Sequence, residues 1–442
     1  MSPIAEILIA RGDRVSGSDQ KRSAATDRLQ ALGAAIFEGH AAANVHGAHV
    51  VVTTSAVSLE NPEVTEARRL SLPVVPRAEM LAELMLDKTS VAVSGSHGKT
   101  TTTAMVASVL ETGGLDPTLV LGGRLQGQGS GARLGQSAFM VVEADESDRS
   151  FLKLTPTLAV VTNIDREHLD TYRDLDDVQA AFLAFANRVP AGGATILCAD
   201  DAPTRALIEA LGGKSVSYGL SEKARVQARD VSVLATSASY TAVAAGQTLG
   251  RIALSVAGAH NVLNSLAAVA VGLELDIAPD AIRAGLSSFR SVDRRFQRIG
   301  QAGDVVVIDD YGHHPTEIHA TLSMLRTFAG ERRTVVLFQP HRFTRTLALW
   351  NEFASAFAGA DVLLLADIYA ASEAPIDGVD SRRLADAIAT ASGQSVLFAG
   401  GLAEAAARLA LVVRPGDVVL TLGAGPVHEA GEALLEHLEG RV

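Results

Sequence analysis

Short apolar runs alternate with amphipathic stretches of helical period along this chain, and turn residues separate them. In the first ninety residues this rhythm predicts helices over 3–11, 23–32, 61–70 and 78–85. Extended segments fall at 14–16, 49–53 and 73–75. A second set follows, with strands at 90–94, 139–143, 158–162 and 194–197, a helix over 100–111, and a long apolar helix over 259–273. Between them, residues 226–243 alternate at period two, as an antiparallel hairpin does. The pattern restarts after a basic stretch near 294–298. Strands are expected at 305–309, 334–338, 362–366, 395–398 and 418–422, with helices over 315–328 and 346–357. Strands alternating with crossover helices imply mostly parallel sheets, hence an α/β fold.

The chain has 442 residues, too many for one core, so it divides into domains, expected over 1–88, 89–291 and 292–442. Hydrophobic residues are 48% of the chain and charged residues 20%, enough for each domain to bury a core. The net charge of −12 argues against a nucleic-acid partner, and any anionic ligand must be met by local basic groups. A lone cysteine, Cys198, excludes an internal disulfide and fits a reducing compartment. With no apolar run of membrane-spanning length and no secretory leader pattern, the expectation is a soluble, cytoplasmic protein, a monomer or weak homodimer without membrane insertion.

Three polar clusters follow strands in the middle third. The first is Gly95-Ser96-His97-Gly98-Lys99-Thr100-Thr101, between strand 90–94 and the next helix. Glycines let backbone N–H groups approach phosphate oxygens, and the helix directs its positive end to the same place. Lys99 adds a point charge, and Thr100 offers a hydroxyl to Mg²⁺. The usual phosphate-loop spacing would place glycine at 93, where this chain has Val93, so the loop is a compact variant. The second cluster, Glu143-Ala144-Asp145-Glu146-Ser147-Asp148, puts carboxylates at a strand's carboxyl end, where ligands of parallel sheets bind and where Mg²⁺ finds oxygen donors. In the third, residues 162–170, His168 stands two residues before Asp170 and suits a metal or an acyl phosphate. Further on, Arg342 and Arg345 offer planar forks for a carboxylate or phosphate, on one face if that segment is helical.

Taken in order, these clusters resemble the Mur ligase family. The series also includes Gly258-Ala259-His260-Asn261-Val262-Leu263-Asn264 and Arg294-Arg295-Phe296-Gln297. It ends with Asp309-Asp310-Tyr311-Gly312-His313-His314-Pro315-Thr316-Glu317 and Phe338-Gln339-Pro340-His341-Arg342-Phe343-Thr344-Arg345. The last two blocks resemble the branch that adds L-alanine. The resemblance implies a Rossmann-like N-terminal domain, a central ATPase-type domain with the phosphate loop, and a C-terminal Rossmann-like domain. It implies ATP and Mg²⁺ as cofactors, UDP-N-acetylmuramate and L-alanine as substrates, and an acyl-phosphate intermediate. By the same resemblance Lys99 and the loop amides hold the ATP phosphates. Thr100 and Glu143 bind one Mg²⁺, and Glu143 and His168 flank a second. His260, Asn261 and Asn264 lie near adenine, and Arg295 and Asp310 reach the nucleotide from the third domain. Tyr311, His313, Arg342 and Arg345 meet the incoming alanine. His168 or His313 could take the amine proton, and closure would hinge near residues 291–293.

The chain opens at Met1-Ser2-Pro3-Ile4, which resembles the residues just after the family's first strand and its glycine turn, so that strand is expected to be missing here. Its absence should leave unpaired strand edges. The expectation is that Met1 is an internal methionine of a longer protein. Ser16, Ser18 and Asp19, with Thr54 and Ser55, remain as candidates for the UDP-sugar. A muropeptide-recycling ligase, an ATP-binding protein without ligase activity, and a folate-type polyglutamate ligase are the rival readings; the block 311–317 argues against the last.

Overall fold

The structure, a computed structural model, describes residues 1–440 apart from Ser55 and Gln128. Helix and strand alternate throughout and gather into three α/β units.

In the first unit, helices Ala24–Ala31 and Pro62–Arg69 start where the sequence offers Ser23 and Asn61, whose side chains accept from backbone N–H groups of the first turn. Strand Ser16–Asp19 pairs in parallel with Ala35–Glu38, and Val51–Thr53 with Val74–Pro76. The two pairs are separate two-stranded sheets. The segment expected at 14–16 is displaced. The strand begins at Ser16 and takes in Gly17, Ser18 and Asp19, because pairing with Ala35–Glu38, which periodicity missed, decides its register.

The middle unit is built on ten strands. Thr89–Ser94 lies between Phe139–Glu143 and Leu158–Val161, parallel to both. The central valines and alanines of these strands are fully buried, which is why they read as continuous apolar runs. The period-two region is a three-stranded meander, Val226–Val233, Ala238–Ala244 and Gln247–Leu254, rather than a hairpin. Gly250 and a register shift blur the alternation of the last strand. Helix Pro279–Ser288, also unforeseen, packs on helix Lys99–Thr112, where Gly285 leaves no room for a Cβ against the Ser108 backbone.

The third unit has six strands. Gln297–Ala302 is the antiparallel edge, followed in order by Val305–Asp310, Val418–Leu422, Thr334–Phe338, Val362–Ala366 and Val396–Gly400. The helix expected over 346–357 is two, Phe343–Ala348 and Trp350–Ser355, broken at Leu349. The second buries Phe353 in the core, while the first carries Arg345 to the middle unit. Among the described residues no helix is long and apolar enough to cross a membrane.

Candidate active site

The phosphate loop is folded by the neighbouring strand. Gly95 has φ +132°, and a Cβ there would collide with Thr162, so only glycine fits. The backbone N–H groups of Ser96 and His97 donate to the carbonyl and side-chain oxygens of Asn163 at 3.0 and 2.8 Å. In return the Thr162 hydroxyl and the Asn163 amide donate to the His97 carbonyl at 2.7 and 3.0 Å. Gly98, at φ +80°, opens helix Lys99–Thr112 against the Asn264 side chain. Thr162 and Asn163 therefore act as a clamp on the loop, a part their sequence gave no sign of.

Lys99 and the acidic cluster meet as expected. Nζ of Lys99 donates to Glu146 Oε1 at 2.7 Å and to the Gly95 and Ser96 carbonyls. Burial alone would lower the lysine pKa, but Glu146 more than offsets it, so the ammonium is firmly charged. His168 Nε2 stands 3.4 Å from the same Glu146 oxygen. Glu146, which sequence reasoning left without a role, thus ties Lys99 to His168, and its second oxygen is buried without a hydrogen-bond partner among the described residues. His168 itself has φ +54°, a conformation that costs free energy and is typical of functional positions.

Thr100 Oγ1 donates to Glu143 Oε1 at 3.1 Å, and Gly122 N–H to Oε2 at 2.8 Å. Burial raises the Glu143 pKa against the pull of that N–H and of Lys99. A hydroxyl beside a buried carboxylate that lacks a full counter-charge is a donor set a hard divalent cation fits. His168, a nitrogen donor, is less matched to such an ion.

Two cavities lie where the third unit meets the middle one. The larger, about 780 Å³, brings together His97, Gly98 and Thr101 of the loop, His260, Asn261 and Asn264 of helix Ala259–Glu274, and Arg295 and Asp310 of the third unit. Its apolar walls include Tyr218, Met324 and Phe328, which no motif marked. His260 is pushed down to about 4 by burial and by Arg295, so it is neutral there. Asp310 is pushed up to about 6 by burial, although Arg295 and the N–H groups of Gly312 and Phe296 oppose this.

The smaller cavity, about 240 Å³, is lined by Glu167, His168, Asp170, Arg342 and Arg345 among others. Arg345 forks onto Glu167 at 3.0 and 2.8 Å, with both side chains buried. His313 Nε2 is 3.5 Å from Glu167, and the Tyr311 ring packs edge-on to His313. Burial works against the Glu167 charge, but His313, Arg345 and His168 hold its pKa well below the usual carboxylate range. Arg342, at φ +70°, reaches Asp170 at 3.2 Å. The two arginines do share a face, directed at residues 167–170. Glu167 went unassigned in the sequence because the arginine that forks onto it, Arg345, is 178 positions away.

The UDP-sugar candidates are elsewhere. Ser16, Ser18 and Asp19 line neither cavity. The Ser18 hydroxyl bonds Glu63 at 2.7 Å and lies 2.9 Å from His40 Nδ1. Thr54 lines neither cavity, and Ser55 lies outside the described residues.

A phosphate loop facing an acidic strand end, roofed by a third α/β unit whose arginines reach into the cleft, defines an ATP-dependent ligase. The chain belongs to the Mur ligase family. Residues 1–89 match the model of the family's catalytic domain, 93–272 that of the Mur ligase middle domain, and 294–425 that of the glutamate ligase domain. The chain is 53% identical over 439 residues to a UDP-N-acetylmuramate–L-alanine ligase of Solibacter usitatus, covering 99% of this chain and 93% of that one. It is 52% identical to the ligase of the same name from Koribacter versatilis, covering 100% and 95%. The crystal structure of the UDP-N-acetylmuramate–alanine ligase of Thermotoga maritima superposes with a TM-score of 0.82 at 29% identity, over 100% of this chain and 97% of that one. A murein peptide ligase of Psychrobacter arcticus, 23% identical with a TM-score of 0.74 over 100% and 97%, shares the fold.

Proposed function

We propose that this chain joins L-alanine to the carboxylate of UDP-N-acetylmuramate, with ATP converted to ADP and phosphate. The observation that carries the reading is the meeting of Lys99, Glu146 and His168 on one side of a seam with Arg345 and Arg342 on the other. Relatives named for this activity match essentially the whole chain at about half identity. The muropeptide-recycling reading rests on solved structures at 23% and 29% identity, well below the half identity of the relatives named for alanine addition. We assign the UDP-sugar to residues 1–88, ATP to 89–291, and closure with amino-acid binding to 292–442.

A carboxylate and an amine do not condense unaided at neutral pH, so the acid must be activated. The muramoyl carboxylate attacks the γ-phosphorus, giving an acyl phosphate and ADP. Lys99 and the loop amides neutralise charge that builds on the transferred group. Mg²⁺, held by Thr100 and Glu143 with His168 nearby, would add Lewis-acid stabilisation of the same oxygens. His260, Asn261, Asn264, Arg295 and Asp310 enclose the nucleoside end in the larger cavity. Arg342 and Arg345 hold the alanine carboxylate, and Tyr311 and His313 orient the amine. His313 or His168 takes the proton as the amine attacks the acyl carbon; the tetrahedral intermediate then expels phosphate. Contact of the third unit with the loop excludes the water that would hydrolyse an acyl phosphate.

The test is phosphate release with UDP-N-acetylmuramate plus each amino acid or the murein tripeptide. Release that depends on L-alanine and ceases in Lys99→Ala supports the reading. Release with tripeptide alone makes the chain a recycling ligase. Full turnover by Lys99→Ala removes the phosphate-loop assignment.

A further inference from the structure

One group of side chains in the seam is given no step in that chemistry, although His97 and Asp165 line the larger cavity. His97 of the phosphate loop, Asp165 after strand Leu158–Val161, and His314 at the head of helix Pro315–Ala329 turn toward one another, with one potential donor atom of each within 4.8 Å of the others. His97 Nε2 is 3.0 Å and His314 Nδ1 3.5 Å from the same oxygen, Asp165 Oδ2. The two imidazole centroids are 4.8 Å apart. His314 Nε2 is buried without a hydrogen-bond partner among the described residues, and the His314 side chain is only 4% exposed.

We infer that His97, Asp165 and His314 form a transition-metal site, of the zinc class, that assembles only when the third domain closes on the phosphate loop. Two imidazole nitrogens and one carboxylate oxygen are borderline-soft donors that suit Zn²⁺ and suit Mg²⁺ poorly. Metal–donor bonds of about 2.0–2.1 Å in a tetrahedron put donors roughly 3.3 Å apart, and the separations of 3.0 and 3.5 Å bracket that value. Glu317 Oε1 stands 3.4 Å from His97 Nδ1, outside the ligand trio, where a carboxylate orients a ligating histidine. Thr316 Oγ1 donates to the same Asp165 Oδ2 at 2.6 Å and the Thr316 N–H to His314 Nδ1 at 3.3 Å, so a metal at these atoms takes the place of both bonds.

The site is separate from the Thr100–Glu143 pair, and its ligands come from both sides of the seam. An ion there would hold the domains together and slow the opening that releases product, so the expected consequence is a zinc brake on turnover. In the metal-free molecule burial disfavours the His97 charge, but Asp165 and Glu317 outweigh it and raise the pKa to about 10.

The full chain, held in excess Mg²⁺ and ADP, is titrated with Zn²⁺ against a chelating indicator. One equivalent should bind at micromolar concentration or tighter. His314→Asn keeps a residue that caps the helix but removes the imidazole, and should weaken uptake at least tenfold, as should Asp165→Asn. Glu143→Ala and Cys198→Ser should bind as the parent does. His314→Gln, checked for fold by circular dichroism, serves as a second replacement. No uptake, unchanged affinity in folded His314→Asn or His314→Gln, or loss confined to Glu143→Ala would each overturn the assignment.

Discussion

At the scale of single residues, the site is built from charges that burial would forbid if they stood alone. Lys99 keeps its charge through Glu146, and Glu167 through Arg345 and His313. Asp310 is different. Burial outweighs its hydrogen bonds and Arg295, and its pKa rises from 3.8 to about 6. A carboxyl raised on folding contributes stability below its unfolded pKa and loses it as pH rises through the folded one. The window is therefore about pH 4 to 6, and the loss about 3 kcal/mol at most. Urea unfolding at pH 4 and at pH 7.5 measures it. The parent should lose stability relative to Asp310→Asn across that interval, and parallel curves would mean that the carboxylate is not strained. Nucleotide should narrow the difference if Arg295 and Asp310 close on it as proposed.

At the scale of elements, the loop depends on its neighbour more than on its own motif. Gly95→Ala places a methyl where Thr162 and the backbone of Asn163 already are. The clamp must open or the loop must move, so ATP affinity should fall at least tenfold by calorimetry, and the strained backbone should lower the melting temperature as well. A variant with ordinary affinity would mean the loop is not held by residues 162–163. This dependence marks the limit of the sequence. Local signals were legible: the helices expected to start near Ser23 and Asn61, the strand into the loop, and the three polar clusters at strand ends all stand where pattern placed them. What pairing between distant segments decides was not. The short strand Ala35–Glu38, the third strand of the meander and the break at Leu349 carry no distinctive period. Glu146 read as one carboxylate of an acidic cluster and Glu167 carried no reading, because Lys99, which faces the first, and Arg345, which faces the second, stand 47 and 178 positions away.

At the scale of the whole molecule, closure rests on a seam with an uneven distribution of binding energy. Arg342–Asp170 and Arg166–Glu352 are partly exposed pairs, each worth less than about 1 kcal/mol. Arg345–Glu167 is buried, with side chains 9% and 5% exposed, and removing one partner of such a pair costs about 3 kcal/mol or more. Closure should therefore hinge on Glu167 and hardly notice Arg166. Glu167→Lys sets a like charge against Arg345 and His313 and should swing the third domain away, which small-angle scattering reads as a larger radius of gyration. Arg166→Glu should leave the scattering curve of the parent almost unchanged. Salt separates the two cases further: 0.5 M salt screens exposed pairs and barely reaches a buried one, so the parent should stay closed. If the parent opens in salt, or if Arg166→Glu opens it as widely as Glu167→Lys, the exposed pairs rather than the buried one hold the seam.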